Sequence, residues 1–121
     1  MGADETIFHK IDKEFHTEFT GYDRLTDTAE IAFIATDDEL IENAGTGDEV
    51  YIVSAKTPFY AESGGQAADK GIITTASGKC RVLDVQKVVA GKFAHKVKVE
   101  EGGKSVGQIA EFAVDKKTRL A

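Results

Sequence analysis

The sequence predicts an all-β fold, a small Greek-key β-barrel, and three observations carry that expectation. Six or seven short runs rich in β-branched and aromatic residues recur along the 121 residues. Glycine-bearing turns separate them. Several runs alternate apolar and polar side chains, as strands with one buried face do. Strands of this length and spacing build sandwiches or barrels. Closure removes unpaired edges, so a barrel is preferred and an open sandwich comes second.

Residues 1–16 form a polar N-terminal segment. Ile7, Phe8, Ile11 and Phe15 share one helical face there, which predicts a short amphipathic helix within Asp4–Glu18. The barrel is expected over residues 17–115. Glu18–Tyr22 reads as a short strand and Thr28–Thr36 as a β-rich run, followed by a turn at Asp37-Asp38-Glu39. Leu40–Asn43 fits a short strand or a helical turn. Gly45–Asp48 is punctuation before a strand at Glu49–Ala55, whose apolar content is Val50, Ile52 and Val53.

Further strands are expected at Gly71–Thr75 and Cys80–Val89, joined by a turn over Ala76–Lys79. Strict alternation across the second puts Cys80, Val82 and Asp84 on one side and Arg81, Leu83 and Val85 on the other. Ala90-Gly91-Lys92 reads as a turn. Phe93–Glu100 then places Phe93, His95, Val97 and Val99 on one face, with Lys96, Lys98 and Glu100 opposite. Gly102-Gly103 turns the chain again, and Val106–Val114 is the last strand. Residues 116–121 read as a charged linker without a capping signal, as though a longer chain continued.

Composition narrows the function classes. An apolar share of 41% supports a packed core rather than a disordered tail. The single cysteine, Cys80, rules out an internal disulfide and reads as a small apolar group facing the core. The histidines His9, His16 and His95 lack metal-ligand spacing, so no zinc site is expected from these residues, and His95 reads as a satisfied face residue. No phosphate-binding glycine motif, nucleophile elbow or signal peptide is present, and no apolar run approaches the roughly 18 residues that would span a membrane. A net charge of −6 with scattered bases argues against strong autonomous nucleic-acid binding.

The unusual segment is Thr57-Pro58-Phe59-Tyr60-Ala61-Glu62-Ser63-Gly64-Gly65-Gln66-Ala67-Ala68-Asp69. It carries the only proline and a Gly-Gly pair, so neither helix nor strand suits it, and it reads as a shaped loop. Gly64 and Gly65 allow close backbone approach to a ligand. Gln66 offers both a donor and an acceptor, and with the two glycines makes the candidate substrate-binding site. Phe59 and Tyr60 are expected to anchor the loop, and Asp69 to cap it through backbone hydrogen bonds.

The string Thr57–Gln66, with Asp69 and Gly71 after it, resembles a signature of alanyl-tRNA synthetases. Phe19-Thr20-Gly21-Tyr22-Asp23 is similar to a Phe-x-Gly-Tyr motif of the same region, and Gly47-Asp48-Glu49-Val50 agrees as well. Ala68 departs from the pattern, since many relatives carry Gly there. The resemblance covers about residues 17–121. It implies a β-barrel of the translation-protein type, between the tRNA-recognition helices and an editing domain that hydrolyses tRNA mischarged with serine or glycine. It implies that Gln66 projects into that editing pocket, while no catalytic residue acts in these 121 residues alone. It also implies a cytoplasmic enzyme that joins alanine to tRNA-Ala, using ATP, Mg and Zn held elsewhere in a longer chain, with no DNA or membrane partner. A free-standing trans-editing hydrolase is the alternative. A release-factor reading of Gly-Gly-Gln fits poorly, because the flanks Tyr60 and Glu62 are aromatic and acidic rather than basic.

Overall fold

The computed structural model describes residues 14–22, 24–61, 68–88 and 91–115. The expected N-terminal helix, apart from its last residues, the linker at 116–121 and the loop tip at 62–67 lie outside the described residues. Among the described residues there are eleven strands: β1 (Glu18–Phe19), β2 (Thr26–Ala35), β3 (Leu40–Ile41), β4 (Asn43–Ala44), β5 (Glu49–Ser54), β6 (Lys56–Thr57), β7 (Gly71–Thr75), β8 (Gly78–Val88), β9 (Lys92–Val99), β10 (Lys104–Ser105) and β11 (Ile109–Val114). No helix occurs among the described residues.

Six of these strands close into an antiparallel barrel in the order β2-β5-β9-β8-β7-β11, and β11 returns to β2. The closing register runs from Ile109 opposite Glu30 to Ala113 opposite Thr26. β7, β8 and β9 are consecutive neighbours, and β11 comes back to lie beside β7, which is the Greek-key arrangement. The expectation of a Greek-key barrel therefore holds.

Alternation fills the interior. Val50 and Ile52 of β5, Val97 and Val99 of β9, and Phe112 of β11 are buried together with Phe59 from the segment after β6. Two bulges break the period of two. In β2 the register shifts between Ile31 and Phe33, so Ile31 and Ile34 both enter the core. In β8 it shifts between Val82 and Asp84. Strict alternation placed Val85 on the face of Arg81; instead Val85 joins Cys80 and Val82 inside. One extra residue on a strand exchanges its faces, and such bulges give a barrel its curvature.

A second apolar cluster sits outside the barrel wall. Tyr51 and Val53 alternate with the inward Val50 and Ile52, and they join Ala35, Val88 and Ala94, with Phe15 and Phe33 packed edge-to-face at 5.2 Å. Residues 49–54 are thus buried on both faces from Val50 onward.

Other boundaries differ locally. The strand expected at Glu18–Tyr22 is two residues long, because Thr20–Tyr22 leave it to form a turn region. Leu40–Asn43 divides between β3 and β4, which pair with different partners. The turn expected over Ala76–Lys79 is the two-residue Ala76-Ser77, with β8 beginning at Gly78. Lys92 was expected in a turn but opens β9 and is buried. The last strand begins at Ile109, since Gly107 adopts φ 96° and interrupts the run from Val106.

Lys104 locks one end of the barrel. Its side chain is fully buried, and Nζ donates to the carbonyls of Glu101 at 2.9 Å, Gly102 at 3.2 Å and Gly103 at 3.4 Å. The turn it gathers needs Gly102, whose φ is +65° and whose absent Cβ would sit 1.8 Å from the Ser77 carbonyl oxygen. Lys104→Met keeps the apolar stem but strips those carbonyls of their donor. It should lower unfolding free energy by about 2 kcal/mol in urea titrations, and an unchanged midpoint would show that the clamp contributes nothing.

Candidate functional site

The stem of the signature loop is built from the barrel interior outward. His95 lies opposite Ile52 across β5 and β9 and is fully buried. Its Nδ1 is 2.8 Å from the Ile52 carbonyl, which can only accept, so Nδ1 carries the proton. Burial outweighs this bond and pushes the imidazole down to about 4, so the ring is neutral near pH 7 and Nε2 is an acceptor. Thr57 Oγ1, 2.8 Å away, therefore donates to Nε2. The same oxygen accepts the Phe59 N–H at 3.0 Å. One hydroxyl thus ties the first residues of the loop to the centre of the barrel.

Apolar contacts complete the anchor. Phe59 is fully buried and packs edge-on against His95 at 5.6 Å and against Phe112 at 6.3 Å. Burying a phenyl ring of this kind is worth roughly 1.5–3 kcal/mol. At the loop's neck, Asp69 Oδ2 accepts the Tyr60 N–H at 2.8 Å, and the Asp69 N–H donates to the Tyr60 carbonyl at 3.0 Å. Asp69 is buried and closes the loop as expected. Ala68, the departure from the signature, is also buried, so its methyl is accommodated. The candidate ligand residues Gly64, Gly65 and Gln66 lie between these anchored ends but outside the described residues.

A second motif packs against the stem. Phe19 pairs in parallel with Thr57 through β1 and β6, and the Thr20 N–H donates to the Thr57 carbonyl at 2.8 Å. A Cβ on Gly21 would stand 2.3 Å from the Pro58 carbonyl oxygen, so only glycine lets this turn rest on the loop stem. Thr20 Oγ1 also donates to Asp27 Oδ2 at 2.8 Å. Burial alone would raise Asp27, but that bond, the Thr28 N–H and the charges of Lys56 and Arg24 hold its carboxyl below the usual value.

The result is an aromatic groove of about 600 Å³ beside Tyr60 and Ala61. Tyr22 meets Phe19 edge-on at 4.8 Å, Phe19 lies nearly parallel to Phe93 at 6.2 Å, and Tyr60 is 6.2 Å from Phe19. Lys87 and His16 stand at its rim. The sequence signalled the signature loop and the Phe19–Tyr22 motif separately; their contact, and the Thr57–His95 link, come only from the fold. The alternation that puts His95 on the inner face with Phe93 and Val97 was the available hint of its burial.

Metal chemistry does not fit these residues. Both His95 nitrogens are engaged, burial pushes the Cys80 thiol up to about 11, and no cluster of three metal-binding side chains exists among the described residues. No helix among the described residues is long and apolar enough to cross a membrane.

His95 makes stability depend on pH in a defined direction. The unfolded chain's imidazole titrates near its ordinary value of about 6.5, the folded one near 4. Between those values the unfolded state binds more protons, so stability is full above about pH 6.5 and falls as pH drops toward 4, by about 3 kcal/mol in all. Denaturant titrations across this window should show His95→Gln with a slope shallower by about one proton than the unsubstituted chain. Parallel slopes would mean that His95 is not held neutral.

Comparison with known proteins agrees with this geometry. Residues 2–118 match the family described as tRNA synthetases class II (A). The chain is 40% identical over 117 residues to an alanine–tRNA ligase of Acetivibrio thermocellus, covering 97% of this chain and 13% of that protein. It is 45% identical over 121 residues to the alanine–tRNA ligase of Sinorhizobium medicae, covering 98% of this chain and 14% of the relative. With the ligase of Thermotoga maritima the identity is 43% over 112 residues, covering 93% and 13%. The chain thus spans about one-seventh of these relatives' length. With the signature loop held on a closed barrel and nearly its whole length matched, the chain belongs to the class II (A) tRNA synthetase family.

Proposed function

We propose that this barrel serves an alanyl-tRNA synthetase as the rigid seat of a loop that completes an editing site and helps position tRNA-Ala. The carrying observation is the contrast within residues 57–69. Both ends of the loop are fixed by buried hydrogen bonds, through Thr57 to His95 and through Asp69 to Tyr60, while the sequence between them is Gly64-Gly65-Gln66. A fixed neck limits how far the intervening residues can reach, and two glycines there add no side-chain bulk.

In this reading Gln66 contacts the mischarged amino acid or holds the attacking water, and Gly64 and Gly65 let the substrate approach. The neutral His95 is committed to Thr57 and Ile52, so it cannot act as an acid or base on a substrate. ATP, Mg and Zn belong in this proposal to other parts of a longer synthetase, and a cytoplasmic location follows from the same reading. The 121 residues alone are expected neither to charge tRNA with alanine nor to deacylate Ser-tRNA.

The test is Gln66→Ala in a full-length alanine–tRNA ligase carrying this barrel. Hydrolysis of Ser-tRNA should fall by roughly tenfold or more, a loss of the size expected when a positioned polar group is removed, with alanylation within about twofold. Ser-tRNA hydrolysis at the unsubstituted rate would remove the loop from editing. Turnover of either charged tRNA by the 121 residues alone would show that the barrel is itself catalytic.

A further inference from the structure

The Phe19–Tyr22 motif has no part in the role given to Gln66, yet the fold brings it against the stem of the same loop. Tyr22 is 88% exposed, too open for a core residue. It stands edge-on to Phe19, which lies within 18° of parallel to Phe93. Tyr60, the residue at the loop's neck, borders the same groove. An exposed tyrosine beside the half-buried Phe19 and Tyr60 in a groove this size suits a planar ligand, since small-ligand sites occupy about 300–1,000 Å³.

Charge distinguishes this groove from the rest of the chain. The protein carries 21 acidic residues against 15 Lys and Arg, but no carboxylate is among the groove's described lining residues. Its one formally charged lining residue is Lys87, which sits opposite Phe93 in the β8–β9 register. An accessible aromatic ring with a cation lining the same groove is an arrangement that holds single-stranded nucleic acid. Bases stack on the rings and the phosphate meets the base. A duplex would not fit this chemistry, because its bases already stack on each other.

A second groove of similar volume lies over β7, β8 and β11, but its Arg81 is already bonded to Glu100 at 2.9 Å, and no aromatic lines it. It offers neither stacking faces nor an unengaged guanidinium.

We propose that the groove formed by Phe19, Tyr22, Tyr60 and Phe93, with Lys87 at its edge, is a stacking subsite for the unpaired end of an RNA strand. This rests on the reading of residues 57–69 as a loop that faces charged tRNA. The subsite holds the nucleotides next to the aminoacylated end while the glycine tip reaches the amino acid. It is a weak site driven by stacking, in keeping with a net charge of −6 that gives no long-range attraction to RNA.

The probe is the tetraribonucleotide ACCA carrying a fluorescent label, titrated with the 121-residue chain and followed by anisotropy. Tyrosine emission gives a second readout, since the chain has three tyrosines and no tryptophan. Binding should quench that emission. Tyr22→Ala should weaken binding by roughly tenfold, the effect of losing one stacked base, and Tyr22→Phe should stay within about twofold. Lys87→Ala should flatten the salt dependence by about 0.7 in log–log slope, the share of one phosphate contact on a single strand. Tyr22 is so exposed that its replacement leaves the fold intact, which circular dichroism checks.

Equal affinity for the unsubstituted chain and Tyr22→Ala, or equal binding of a blunt RNA duplex, would overturn the proposal. So would a full-length enzyme in which Tyr22→Ala lowers thermal stability while ACCA binding is unchanged, because the groove would then be the seat of a neighbouring protein domain. Gln66→Ala separates the two readings. It should leave ACCA affinity within about twofold, so a failed subsite and a failed editing role give different results.

Discussion

Barrel closure by β11 against β2 is the constraint on which the rest depends. Once Ile109–Ala113 pairs with Thr26–Glu30, the side chains between β5, β9 and β11 are buried, and a polar group among them needs a hydrogen-bond partner there. His95 is such a group. Its ring can be satisfied only by one donor and one acceptor, and the fold supplies Thr57 Oγ1 and the Ile52 carbonyl. Closure thereby decides where Thr57 sits, and Thr57 decides where the signature loop begins. The loop's position is thus a consequence of satisfying one buried imidazole.

Both described ends of residues 57–69 are held, and by different residue types. Pro58, Phe59 and Tyr60 supply a fixed dihedral and two large rings, one in the core and one at the groove. Asp69 closes the neck with a reciprocal pair of hydrogen bonds to Tyr60. Gly64, Gly65 and Gln66 fall between these two ends in the sequence. Gly21 extends the same logic to a neighbouring turn: lacking a side chain, it lets the chain carrying Tyr22 lie directly on Pro58. Two sequence motifs separated by more than thirty residues therefore build one surface.

Much of this was legible beforehand, and the failures share a cause. The fold class, the inward alternation of Phe93, Val97 and Val99, the core position of Cys80 and the cap at Asp69 all follow from local pattern and side-chain chemistry. Val85 was misassigned because a bulge is invisible to a period of two. Lys92 looked like turn material because lysine is rarely buried, and its burial depends on neighbours distant in sequence. The Thr57–His95 bond spans 38 residues of chain, and the groove joins residues from β1, β8 and β9. Neither has a local signature.

A buried histidine is a costly way to fill a barrel, and an apolar residue would pack there with less desolvation. What the imidazole adds is register. Apolar alternation forbids a one-residue slip of β9 along β5, since that would turn Phe93, Val97 and Val99 outward. A two-residue slip keeps every apolar face inside and escapes that penalty. Another β5 carbonyl would then take the place of Ile52's, but Thr57 Oγ1 would be carried about 7 Å along the strand from His95 Nε2 and that bond would be lost. A neutral imidazole in a dry interior cannot tolerate that loss. His95, the one buried imidazole among the described residues, therefore selects through Thr57 the single register in which the loop stem is held.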